Sequence, residues 1–358
     1  MRRNGIISFW KFLYAIMVVL FHGKILANDG NLIVSLGGYI GVEFFFIVSG
    51  VFLASSIVKL WDKDNFNLGK DTFKFIWKKF YSFFPYVLIA HMLIWLLYFF
   101  TYNFPIHKLT SSIWELFLIQ KTGLSYLPTN TPVWYLSSML LCMFIIYPLM
   151  RKYKMNYVYF VAPLAVLLGF GIMNHTIEGL NHIDTWIGFT YHANFRAFAE
   201  LNLGILIYFI SNRIKNINFT RFGRFCLTLI EFGCLSIPFV VTTLISKSYR
   251  YDYLMLLFIA IGVLIAMCNI TLEKDILDNK IIYYFEKLSL PIYIFHVFVL
   301  KFIFKVVRVF ELKLSYSTKI SVYLLCSIIL AMIMLKVIEY LRSKNFYLNK
   351  VKKLFISE

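Results

Sequence analysis

Lys11 and His22 stand eleven residues apart in one strongly apolar stretch, 9–26. Eleven helical steps of about 100° return both side chains to nearly one face, roughly 16 Å apart along the axis. A cation and an imidazole inside a membrane-spanning helix are costly and, as a rule, functional. The helix would carry a positive charge low on that face and a base higher up, since imidazole takes and gives protons near neutral pH. The plainer alternative is a buried histidine satisfied by a neighbouring helix.

Glu43 is the second group of interest, in Gly41-Val42-Glu43-Phe44-Phe45-Phe46-Ile47-Val48-Ser49-Gly50. A carboxylate in so apolar a segment must be paired or protonated. The expected depths let Glu43 meet His22, fixing its tautomer and stabilising an imidazolium. The other reading is a structural salt bridge that ties two helices, with Ser49 and Gly50 as small residues that let helices approach. Lys74, Lys78 and Lys79 precede Phe83, Phe84 and Pro85. They fit either membrane-surface anchoring or a phosphate site. Ser289, Tyr293 and His296 share one late apolar segment, and Arg196 and Glu200 are four apart on one helical face. The latter two suit an internal ion pair as well as a substrate site. Trp134 and Tyr135 fit an interfacial belt or a sugar-stacking surface. His91 has no companion motif and reads as structural.

These groups need a membrane protein to hold them. The 358 residues are 60% hydrophobic, with mean hydropathy +0.73, which excludes an ordinary soluble domain. A crossing takes about 20 apolar residues. The qualifying segments are 6–27, 36–58, 83–102, 133–150, 156–173, 194–211, 225–246, 253–270, 288–308 and 317–341. The expected fold is therefore all-α and polytopic, with about ten transmembrane helices. Lys and Arg concentrate in the N-terminus, alternate loops and a basic tail at 346–358, placing both termini in the cytoplasm. Segment 174–195 has no Lys or Arg and carries His175, His182 and His192. Segment 305–319 runs against the trend, with Lys305, Arg308, Lys313 and Lys319 outside. The net charge of +18 thus reports topology and lipid headgroups, and no nucleic-acid module is present. Arg2 and Arg3 before an apolar run resemble a signal peptide, but the run is too long and reads as a retained helix. The five cysteines lie in apolar segments at spacings that fit no zinc or redox motif.

Taken together, these residues resemble the membrane acyltransferase family 3 over nearly the whole chain, 1–345. That family carries a basic residue eleven positions before a His, here Lys11 and His22. Its Gly-Val-acid-Phe-Phe stretch followed by Ser-Gly matches Gly41 to Gly50. Its basic run before an aromatic-Pro pair matches Lys78, Lys79, Phe84 and Pro85, and its late Ser, Tyr and His match Ser289, Tyr293 and His296 with shifted spacing. The resemblance implies transfer of an acyl group, usually acetyl from acetyl-CoA, to a carbohydrate hydroxyl at a bacterial cytoplasmic membrane. It implies catalytic His22 and Glu43 and donor binding by Lys11, Lys78 and Lys79; the residues themselves add Lys74 as a further candidate for donor binding and Trp134, Arg196, Glu200, Ser289 and His296 as candidates for the cavity lining. It implies no metal and no permanently bound cofactor. The partners are acetyl-CoA, a carbohydrate acceptor and membrane lipids. There are departures. Lys11 lacks the fork of the usual Arg, Ser82 stands where a second basic-run Arg is expected, and Ser138, Met139 and Leu140 replace acids after the Trp-x-Leu-Ser stretch. Buried His, Glu and Lys also suit a transporter or flippase for a lipid-linked glycan.

Overall fold

A computed structural model describes residues 4–27, 36–62, 67–101, 106–124, 128–177, 179–244, 251–272 and 274–343. Arg2, Arg3 and the basic tail at 346–358 lie outside the described residues. The helices are α1 (Gly5–His22), α2 (Gly41–Val58), α3 (Leu68–Thr101), α4 (Ile106–Leu116), α5 (Trp134–Tyr153), α6 (Ala162–Thr176), α7 (His192–Ile214), α8 (Arg221–Leu244), α9 (Asp252–Cys268), α10 (Lys274–Leu277), α11 (Lys280–Val309) and α12 (Tyr316–Ser343). Among the described residues, nine are long and apolar enough to cross a membrane, and α9 is a shorter apolar helix of 17 residues. Strand is confined there to one hairpin, β1 (Trp186–Ile187) with β2 (Thr190–Tyr191). The protein is an all-α polytopic membrane protein.

Each segment chosen by hydropathy forms a helix, with two differences. First, α3 begins at Leu68, well before the expected 83. The run from Lys70 to Lys79 is charged, which lowers its hydropathy, yet lysine is a good helix former. Lys74, Lys78 and Lys79 therefore ride on the same helix that crosses the bilayer. Second, α4 was not expected. It buries Ser112 and Glu115 completely and exposes Ile113 and Trp114, the reverse of a soluble amphipathic helix. Lipid outside favours that inversion. Phe99, Phe100, Phe160, Leu167 and Phe222 likewise face outward, each more than two-thirds exposed.

Two helix pairs position the site. Helices α1 and α11 run parallel. Lys11 meets Glu286, Phe12 stacks on Phe285 at 4.9 Å, and His22 meets His296 at 5.1 Å between ring centroids. Sequence number rises together along both chains. Helices α2 and α7 are also parallel, with Glu43 beside Arg196 near their starts and Gly50 against Gly204 further on. A Cβ on Gly50 would collide with the Leu201 carbonyl oxygen, and one on Gly204 with that of Ile47. The backbones touch there, and only glycine allows it.

Candidate active site

His22 ends α1 and is only partly buried. Its ring lies 5.1 Å from that of His296, tilted by 41°, and edge-on to Phe21 at 5.1 Å. His296 is fully buried. Its Nδ1 sits 3.1 Å from the Ile292 carbonyl. A carbonyl only accepts, so Nδ1 carries the proton and Nε2 holds a lone pair. That Nε2 is buried with no hydrogen-bond partner among the described residues. Such an orphan acceptor is costly in a membrane interior and marks a group held ready for a partner.

Aromatic side chains line the neighbouring space. Tyr293 packs 6.1 Å from His296, 5.7 Å from Tyr135 and 6.0 Å from Phe45. Its hydroxyl donates to the Pro132 carbonyl at 2.8 Å. Tyr135 packs 4.5 Å from Phe46 with the rings tilted by 54°, and its hydroxyl lies 3.1 Å from Ser49 Oγ. Ser49 therefore has a polar partner beyond merely being small.

Glu43 does not meet His22. It belongs to a buried clamp centred on Arg196. Arg196 Nε donates to Glu43 Oε2 at 2.8 Å and to Glu200 Oε1 at 3.3 Å. Nη1 donates to the Leu180 carbonyl at 2.9 Å, and Nη2 reaches Tyr39 O at 3.2 Å and Glu43 Oε2 at 2.5 Å. Asp252 in turn accepts from Tyr39 OH and from the Leu180 N–H, each at 2.7 Å. The guanidinium lies 5.4 Å over Trp134. Arg196, Glu43 and Glu200 have no exposed surface. The carboxylate thus joins α2 to α7, because the glycine contact between those helices turns Glu43 towards Arg196.

Lys11 bonds Glu286 at 2.6 Å, which also accepts from Ser8 Oγ at 2.7 Å. Lys11 and His22 share the α11-facing side, as their spacing predicts. Lys74 and Lys78 are exposed and Lys79 is partly buried, near Lys11. Ser289 is buried, and its hydroxyl bonds back to the Phe285 carbonyl at 3.4 Å. It lies about two turns below His296 on α11.

One network escaped the sequence reading. His91 Nε2 lies 2.9 Å from Glu115 Oε2, and its Nδ1 2.8 Å from the Val87 carbonyl. Glu115 also accepts from the backbone N–H of Thr129 at 2.5 Å and of Asn130 at 2.9 Å. Asn130 Nδ2 donates to the Ile294 carbonyl at 3.1 Å. The pair therefore braces the segment before α5 against α11, two residues from His296. Without α4, nothing in the sequence pointed Glu115 at His91.

The fold and site define a multi-pass membrane protein whose interior pairs Arg196 with Glu43 and Glu200 and His91 with Glu115, and leaves His296 Nε2 open among the described residues. The family model for the acyltransferase domain of acyltransferase family 3 matches residues 4–336. The chain belongs to that family and is a membrane acyltransferase. Neither a curated protein nor a solved structure matches the sequence.

Proposed function

We propose that the protein transfers acetyl from cytoplasmic acetyl-CoA to a hydroxyl of a cell-surface polysaccharide or its lipid-linked precursor, in a bacterial cytoplasmic membrane. In this reading the Lys11 end of the bundle faces the cytoplasm, with both termini and the tail at 346–358. The acceptor enters at the His22 end, past segment 174–195.

The observation that carries the reading is the parallel pairing of α1 with α11. It sets Lys11 and Glu286 at one level and His22 and His296 roughly 16 Å further along. A donor held by its phosphates at the lower level would extend its thioester up the same face. His22 takes the hydroxyl proton as the oxygen attacks the thioester carbonyl. The C–S bond breaks, and the leaving thiolate receives that proton. The alternative course has His22 accept the acetyl group before the sugar does. His296 Nε2 can accept the other N–H of His22, fixing its tautomer. Here His296 fills the role that the sequence reading gave to Glu43, whose part becomes holding α2 on α7.

Mass spectrometry of surface glycans tests this in wild type, a deletion strain, and the deletion complemented with His22→Ala at equal membrane abundance. Loss of one acetyl mass in the deletion, unrestored by the variant, is the expected result. A glycan that keeps its acetyl groups but fails to reach the surface would favour the flippase instead.

A further inference from the structure

The His22 end of the bundle carries an excess of positive charge. Residues 23–27 follow α1, and 298–322 span the end of α11 and the start of α12. Together they hold six cations, Lys24, Lys301, Lys305, Arg308, Lys313 and Lys319, against one acid, Glu311. In the orientation of the proposed function these residues face away from the cytoplasm. Lys and Arg there oppose the charge bias that orients membrane helices. Like charges held on one rim also repel, and a single carboxylate does not balance six of them.

Three of the lysines are built in around the histidine pair. His22 runs directly into a tight turn, Gly23–Leu26. Lys24 in that turn lies within Coulombic reach of His22, and its Nζ sits 4.0 Å over the Phe21 ring. The start of α12 packs on the same turn, so closely that a Cβ on Gly23 would lie 2.5 Å from the Ile320 side chain. Lys319, next to Ile320, is only 6% exposed, and its Nζ reaches the Leu26 carbonyl at 3.5 Å. On α11, Lys301 comes five residues after His296, about 7.5 Å further along the axis. Its Nζ donates to the Tyr98 hydroxyl of α3 at 2.7 Å and lies 5.1 Å from the centre of that ring. Among the described residues, Lys301 pairs with no carboxylate. A carbonyl, a phenol and aromatic faces orient ammonium groups without cancelling their charge. An anion between them would relieve the repulsion.

We propose that the acceptor is an anionic glycan, carrying a phosphate or carboxylate near the hydroxyl that is acetylated, and that Lys24, Lys301 and Lys319 attract and hold this group. The inference rests on the reading that His22 activates an acceptor hydroxyl at this end of the bundle. An anion held at this rim presents a neighbouring hydroxyl to the imidazole. The field of the remaining cations draws such an acceptor to the rim. An anionic lipid headgroup offers the same chemistry, so the test separates the two.

The full chain, in neutral phosphatidylcholine nanodiscs and in discs containing phosphatidylglycerol, is given acetyl-labelled acetyl-CoA and the lipid-linked glycan fraction. That fraction is first split by anion exchange into neutral and anionic pools. Label should enter the anionic pool, with a KM for the pool that rises with salt. Lys24→Gln with Lys301→Gln should raise that KM roughly tenfold, about threefold for each partly exposed charge. The KM for acetyl-CoA should not change. Lys24→Arg with Lys301→Arg keeps both charges and should stay near wild type. An Arg pair as impaired as the Gln pair would reduce the effect to packing and overturn the proposal. Label entering the neutral pool as readily would overturn it and leave acetyl transfer standing, as would a Gln pair within about twofold of the wild-type KM. A rise seen only in phosphatidylglycerol discs would assign the lysines to lipid and also overturn it. If wild-type protein labels neither pool, the acetyl-transfer reading falls and the proposal with it.

Discussion

Replacing Arg196 with Met tests whether the clamp holds the fold. The guanidinium gives hydrogen bonds to Glu43, Glu200, Leu180 O and Tyr39 O, all out of contact with solvent. Its loss strands two buried carboxyls and leaves two carbonyls short of a donor. Removing one partner of a buried ion pair costs about 3–5 kcal/mol, so Arg196→Met should lose about 4 kcal/mol. Adding Glu43→Gln and Glu200→Gln removes the stranded charge but not the carbonyl deficit. About half should return, roughly 2 kcal/mol. The assay is unfolding in mixed micelles by SDS titration, followed by tryptophan fluorescence. The reasoning fails if Arg196→Met stays within about 0.5 kcal/mol of wild type, as a surface change would. It also fails if the triple variant is no more stable than the single one.

Gly204→Ala should destabilise by about 1–3 kcal/mol or more, since its Cβ meets backbone rather than a movable side chain. Gly171→Ala, with nothing within 4 Å, should be neutral or stabilising by roughly 0.5–1 kcal/mol in the same titration. Lys11→Met should weaken coenzyme A binding while changing stability by less than about 1 kcal/mol, because the pair with Glu286 is partly exposed. Lys11→Met with Glu286→Gln should recover the stability and not the binding. If the proposed donor site holds, Glu115→Gln should lower kcat roughly tenfold with the KM for acetyl-CoA unchanged, because the brace acts beside His296 and not at the Lys11 end. Equal changes in both constants would remove that positioning role.

Hydropathy made most of the fold legible, because a helix must satisfy its own backbone in lipid and its outer face must be apolar. The boundary of α3 was misplaced where lysines interrupt the apolar pattern without interrupting the helix. Helix α4 was invisible for a related reason, its buried positions being Ser112 and Glu115 and its exposed ones Ile113 and Trp114. The helical period correctly put Lys11 and His22 on one side of α1. It carried no information on what stands opposite. That depends on which helices pack together, and residues as distant as 22 and 296, or 43 and 196, meet only through tertiary packing. Glu43 looked like the companion of His22 because both lie at similar depth on consecutive helices. The Gly50–Gly204 contact decides otherwise. Arg196 and Glu200 at i and i+4 were readable as an ion pair, whereas the third member of that clamp was not.

The most direct test of the central claim is release of free thiol from acetyl-CoA by the purified protein in nanodiscs, supplied with the lipid-linked glycan fraction. The wild-type protein should release thiol as the acceptor gains acetyl. His22→Gln should lose at least about a hundredfold in rate, as expected for a general base, while unfolding at the same denaturant concentration as wild type. A folded His22→Gln protein that releases thiol and acetylates the acceptor at the wild-type rate would contradict the account.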